Sequence, residues 1–227
     1  MARTLNLAIH TVRKEAFVDA ATRLMQTKGY EQMSIQDVLD AVEASRGAFY
    51  HYFGSKQALL EAVIDRMVDA GLGAVEPVVA DPTLPAAAKL RGVFSTIGRW
   101  KTERKALVLS LLTVWLSDDN AIVREKFRRT TVRRLVPTLA PIIRQGVAEG
   151  TFRSDSPEET ARVLVMLLQG FQDVAMELFL DRQAGHIDTA AVERTFATYA
   201  ASFERILGAP AGSIDLIDRS VLREWFG

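Results

Sequence analysis

Cysteine is absent from the 227 residues, which excludes disulfides, thiolate metal sites and a cysteine nucleophile at once. Histidine is scarce. His10, His51 and His186 lie far apart with no metal-ligand or triad-like spacing, and no glycine-rich phosphate loop is present. These gaps leave no candidate catalytic residue, no metal site and no cofactor, so an enzyme is not expected. Net charge is also lacking, because 28 Lys and Arg balance 28 Asp and Glu. Bulk electrostatics therefore does not point to nucleic acid, and binding to it has to rest on placed contacts. The longest strongly apolar run, from Ala106 to Leu116, is shorter than a membrane span and holds Ser110 and Thr113. The first residues show no apolar stretch followed by a small-residue cleavage site. A cytoplasmic protein with no membrane partner is the expectation.

What is present is ordinary for a globular chain, 48% hydrophobic and 25% charged, and argues against global disorder. Nearly every periodic stretch has helical spacing, and alternating runs with Asn-Gly or Asp-Gly turns are missing, so the sequence predicts an all-α fold. The first helix is expected over Val12 to Lys28, stopped by Gly29, with Phe17, Ala20, Ala21, Leu24 and Met25 on one face. Shorter helices follow over Ser34 to Val42 and Ser45 to Phe53. A longer one is expected from Ser55 to about Leu72, ended near Gly71 and Gly73. Pro77, Pro82 and Pro85 then punctuate a connector into a larger helical body.

In that body the pattern predicts helices over Pro85 to Thr102, Glu103 to Ser117 and Asn120 to Val136, the last broken around Pro137 and Pro141 before resuming to Glu149. Ser156, Pro157 and Glu159 spell a capping box for a long helix to about Leu180, and Asp188 opens another. Apolar residues recur at three or four on both, Leu164, Leu168, Phe171 and Phe179 on one, Val192, Phe196, Phe203 and Leu207 on the other. Their faces are broad enough to pack together and leave surface over. A last amphipathic piece, Ser213 to Phe226, has no role legible in the pattern.

The most specific stretch is Ser34 to Lys56. Ser34, with Asp37 three residues on, and Ser55 can each cap a helix start. Between them Phe49 and Phe53 share one helical face, with Tyr52 and Ser45 at its flanks, while Arg46, Gly47, Tyr50 and His51 project to the other side. The outward set suits a DNA groove and backbone. A guanidinium can pair with guanine or phosphate, a glycine admits close approach, and phenol and imidazole groups donate hydrogen bonds. Ala48 suits a thymine methyl and packing equally well. The basic run Arg124, Lys126, Arg128, Arg129, Arg133 and Arg134 reads as a solvated helix face.

The run from Ala44 to Lys56, small-Ser-basic-Gly followed by aromatics and Ser-Lys, then apolar Ala58, Leu59 and Leu60, resembles the helix-turn-helix of TetR-family (tetracycline-repressor-like) transcription regulators. The resemblance covers about Arg13 to Met67, roughly a quarter of the chain. One departure is Glu43, at a turn position where the family usually carries glycine. The resemblance implies a DNA-binding domain over residues 10–56, its motif at about 34–53, and an effector-binding and dimerisation domain over 57–227. Ser34 and Lys56 resemble the family's phosphate-contacting positions at helix starts, and Ser45 is counted among the DNA-binding residues without a separate role. The family further implies a homodimer through the two long C-terminal helices, double-stranded operator DNA as partner, and a small apolar or aromatic effector. Phe94, Trp100, Trp115, Phe127, Met166 and Phe171 are the bulky side chains available to line its pocket, although each alone reads as plain core. The expected function is a repressor released by its effector. The alternatives are a helical protein-binding adaptor or an effector-independent DNA-binding regulator.

Overall fold

A computed structural model describes residues 2–227, apart from the side chains of residues 2–9 and Thr113. Among the described residues there are ten α-helices and no strand: α1 (Ala2–Lys28), α2 (Ile35–Val42), α3 (Arg46–Tyr52), α4 (Lys56–Ala80), α5 (Ala86–Glu103), α6 (Lys105–Leu116), α7 (Ala121–Ala148), α8 (Pro157–Gln183), α9 (Thr189–Leu207) and α10 (Arg219–Phe226). They form two compact units that do not follow a single cut in the chain. The first holds residues 1–69 and 104–127, the second 70–103 and 128–227. The first unit thus reaches past residue 56, because Leu59, Leu60, Val63 and Ile64 of α4, and Val114 and Val123 further on, are buried in the same core as Phe17 and Phe49. Helices α4 and α7 each carry the chain from one unit into the other.

The helix end expected near Gly71 and Gly73 and the break expected around Pro137 and Pro141 do not occur. Helix α4 runs through Gly71, Gly73 and Pro77 to Ala80, since Val75 is buried in the second unit's core and Val79 packs on it. Helix α7 likewise continues through Pro137 and Pro141. Each intrahelical proline forfeits a backbone hydrogen bond and costs about 3 kcal/mol in a helix interior. Pro137 and Pro141 are exposed, one turn apart, while Leu139, Ala140, Ile142 and Ile143 are buried on the inner side and hold the helix. At its end the Phe152 ring packs so closely on Gly146 that a Cβ there would lie 2.1 Å from it.

The capping box expected at Ser156 is also absent. The Ser156 side chain makes no cap, Ser154 Oγ pairs with Thr160 Oγ1 at 2.7 Å, and Pro157 at the first helical position starts α8. Asp188 does cap α9, accepting from the Ala191 N–H at 2.7 Å. The last piece is helical only over α10, which packs on α5 and α8. Trp225 Nε1 donates to Thr102 Oγ1 at 2.8 Å, and buried Glu204 accepts from the Ile214 N–H at 3.0 Å, pinning the segment before α10.

Candidate nucleic-acid interface

The site is built on α2 and α3, whose starts are both capped. Ser34 Oγ accepts from the Asp37 N–H at 3.1 Å, and the Asp37 carboxylate accepts in return from the Ser34 N–H at 2.8 Å, a complete capping box. Lys28 Nζ, 2.7 Å from Asp37, and then the Ser34 groups hold that carboxyl well below the usual carboxylate range. Helix α2 ends at Glu43, whose φ of 50° is left-handed and is the one such angle on a non-glycine residue among the described residues. That geometry lets the Ala44 N–H reach the Leu39 carbonyl at 3.0 Å and turns the chain into α3. Ser45 then caps α3 by accepting from the Ala48 N–H at 3.2 Å.

Helix α3 divides as its spacing predicts. Phe49 and Phe53 are buried, with ring centroids 5.8 and 6.1 Å from that of Phe17 on α1. Tyr52 lies at 5.7 Å from the same ring. Ala48 is half-buried against this core. Arg46, Gly47, Tyr50 and His51 are exposed, Tyr50 at 53% despite its edge contact with Phe49. A Cβ on Gly47 would meet only Ser45 Oγ, at 4.0 Å, so nothing within the chain requires glycine there. Helix α4 braces the arrangement. Arg66 pairs with Asp19 and donates to Thr22 Oγ1 at 2.6 Å, fastening α4 to α1, and Ser55 caps the α4 start by accepting from the Ala58 N–H at 3.0 Å. Lys56 is half-buried; its ammonium donates to the Glu31 carbonyl at 3.3 Å, and burial pushes it below the ordinary lysine range.

One residue of this surface escapes the sequence reading. The His10 ring on α1 stands 5.5 Å from that of His51 and 4.6 Å from that of Tyr52. The signal was available, since His10, Lys14 and Phe17 recur at four and three on one face of α1, and Phe17 is the residue against which α3 packs. The basic run, by contrast, is largely spent on structure. Arg124 donates to the Trp115 carbonyl at 2.8 Å, Lys126 Nζ lies 2.6 Å from Glu61, and Arg128 pairs with Asp173.

The six bulky residues considered for an effector pocket divide between the two units. Trp115 and Phe127 belong to the first unit and pack edge-to-face at 4.8 Å. Phe94 and Phe171 are buried in the second unit's core, the former against Phe203 and the latter against Phe196 and Tyr199. Trp100 is half-buried on α5, and Met166 is 61% exposed on α8. Among the described residues no group of three or more His, Cys, Asp and Glu could hold a metal ion.

Two short capped helices joined by a tight turn, the second packed by its aromatic face and offering Arg46, Gly47, Tyr50 and His51 outward, define a helix-turn-helix DNA-binding head. Residues 17–63 match the family described as bacterial regulatory proteins, tetR family; they form a DNA-binding domain of that family, and the chain is a DNA-binding transcriptional regulator. It is 27% identical over 144 residues to the HTH-type transcriptional regulator EthR of Mycolicibacterium smegmatis, spanning 56% of this chain and 66% of that protein. To the HTH-type transcriptional repressor KstR2 of Rhodococcus jostii it is 25% identical over 160 residues, 66% of this chain and 72% of that protein. Its fold is similar to that of ligand-free RolR, with a TM-score of 0.62 at 17% identity over 92% of this chain and 96% of RolR. The regulatory protein TetR of Rhodobacter sphaeroides is similar at a TM-score of 0.53 and 20% identity, over 85% and 97%.

Proposed function

We propose that the protein is a cytoplasmic homodimeric repressor that acts by binding rather than catalysis, and that leaves its operator when a small apolar or aromatic molecule occupies the second unit. Residues 10–56 supply the DNA contacts and the chain beyond them supplies the effector site and the dimer. Arg46, Gly47, Tyr50 and His51 read the major groove, while Ser34, Ser45 and Lys56 set the register on phosphates from helix starts, where N–H groups favour anions. Ala48 lies between reading and packing.

The observation that carries the dimer is an uncovered apolar stripe on α8. Val163 is 50% and Met166 61% exposed, with Leu180 further along and Ile206 on α9. By length and composition α8 is apolar enough to cross a membrane; in a chain with a DNA-reading head, the same uncovered face suits a second copy of the chain. Two copies related by a twofold axis set two α3 helices against successive major grooves, roughly 34 to 36 Å apart. An effector that prefers one arrangement of the heads shifts the population away from that spacing, and α4 and α7 both run from the first unit into the second.

The test is a thermal-shift screen of apolar and aromatic metabolites, each hit then titrated into the protein bound to DNA. Linkage requires that a ligand lowering DNA affinity be weakened by DNA in the same ratio, typically worth about 1 to 3 kcal/mol. Hits that raise the melting temperature and leave DNA affinity unchanged contradict release by effector and favour the effector-independent regulator.

A further inference from the structure

The proposed release leaves open what kind of molecule the second unit takes, and the inward faces of α5 and α7 bear on that. The start of α5 is tied to the end of α7: the Ala86 N–H donates to Glu149 Oε2 at 3.0 Å and Gln145 Nε2 to the Leu84 carbonyl at 2.9 Å. From the tie, the inner stripe of α5 runs Ala86, Leu90, Phe94 and Ile97, all packed in the core. The next residue at that spacing is Lys101. The inner stripe of α7 runs Ile142, Leu139 and Leu135, also in that core, and the next residue is Thr131. At 1.5 Å per residue, Lys101 lies roughly 22 Å along α5 from Ala86 and Thr131 roughly 21 Å along α7 from Gln145. Both stripes therefore turn polar at about the same distance from the tie.

Both polar groups lack partners. Thr131 is 8% exposed and its Oγ1 makes no hydrogen bond. A helical threonine ordinarily turns its hydroxyl back to the carbonyl four residues earlier, as Thr102 does at 2.9 Å and Thr138 at 3.2 Å. Lys101 is half-buried, and no carboxylate or other acceptor among the described residues pairs with its ammonium. Burial alone pushes it below the ordinary lysine range. Arg128, three residues before Thr131, differs in this respect, for that cation is matched by Asp173 from α8. The Thr131 hydroxyl is a buried donor without an acceptor, which is costly and points to an acceptor supplied from outside the chain, and Lys101 at the matching level of α5 is a cation with no carboxylate beside it.

We infer that the effector is an apolar acid, whose carboxylate accepts from the Lys101 ammonium and the Thr131 hydroxyl while its apolar part lies along the stripes of α5 and α7. This rests on the effector reading above and narrows it from any apolar molecule to an anionic one.

The experiment is calorimetric titration of the protein with decanoate and 4-phenylbutyrate, each against its primary alcohol, 1-decanol and 4-phenylbutanol. At least one acid is expected to bind about tenfold or more tightly than its alcohol, as a charge-assisted hydrogen bond allows. Lys101→Met should abolish that preference and leave the alcohol's affinity in place, and Thr131→Val should reduce it several-fold. Without ligand, Lys101→Met should raise the melting temperature, because an unmatched ammonium is removed from an apolar stripe. Acids and alcohols binding equally would overturn the acid inference and leave effector release standing. An acid preference that survives Lys101→Met, or a lowered melting temperature for that variant, would overturn the role of Lys101. Failure of both acids to bind below millimolar concentration also defeats the inference, whereas effector release is decided separately by the metabolite screen and DNA titration.

Discussion

The Lys56 ammonium stands 4.3 Å from the centroid of the Tyr30 ring. It is the ion at the start of α4, and its position is set by a residue of the loop between α1 and α2, which also supplies the Glu31 carbonyl it donates to. A cation held over an aromatic face and anchored by a carbonyl is ordered before any phosphate arrives, so little side-chain entropy remains to be given up on binding. Lys56→Ala is expected to weaken binding to all duplex sequences alike and to make the slope of log affinity against log salt shallower by about 0.9 for each phosphate that is no longer neutralised. Anisotropy titrations across a salt series measure this. An unchanged slope would assign Lys56 wholly to clamping the loop.

Glu43 occupies left-handed backbone between α2 and α3. A side chain there is strained by about 1 kcal/mol relative to glycine, and an exposed carboxylate in the turn of a DNA-binding motif repels phosphate. Glu43→Gly should therefore raise stability in urea unfolding by about 0.5 to 1 kcal/mol and tighten DNA binding most at low salt. A loss of stability would mean that the Glu43 side chain makes a contribution exceeding its backbone strain.

Substitutions on the two long C-terminal helices should separate into two kinds. Val163→Glu with Met166→Glu places charge on an already exposed stripe. The expected product is a folded monomer by sedimentation velocity with much weakened DNA binding, since a lone head spans one half-site. Phe203 is fully buried, 5.6 Å from the Phe94 ring. Phe203→Glu should unfold the second unit, because truncation of a buried Phe alone costs about 3 to 5 kcal/mol and a carboxylate adds to it. A doubly substituted protein that remains dimeric would place the interface elsewhere.

The DNA-reading head was legible because its chemistry is local. Ser34 and Ser45 mark helix starts, and Phe49 and Phe53 recur at four, so caps and faces follow from neighbours in the chain. The misread features are those decided by distant residues. Gly71, Pro77, Pro137 and Pro141 favour breaks locally, and are overridden by the burial of Val75, Leu139 and Ile142. Ser156 has the residues of a capping box, yet Ser154 and Thr160 pair instead. That residues 104–127 complete the first unit depends on long-range packing of Val114 and Val123, which helical periodicity cannot assign to one core or another. For the same reason aromatic size does not tell that Trp115 and Phe127 pack in one unit and Phe94 and Phe171 in the other. His10 shares a face of α1 with Phe17, but its contacts with His51 and Tyr52, about forty residues away, are set by the packing of α3 on α1.

The central claim is that α3 reads base sequence through Arg46, and selection of bound duplexes from a random pool tests it most directly. The wild-type protein should enrich an inverted repeat whose half-sites are centred about one helical turn, or a multiple of it, apart. Arg46→Ala should lose preference at one base pair per half-site and bind the selected sequence about 1 to 3 kcal/mol more weakly per half-site. No enrichment by the wild-type protein, or the same motif at the same affinity with Arg46→Ala, would contradict the account.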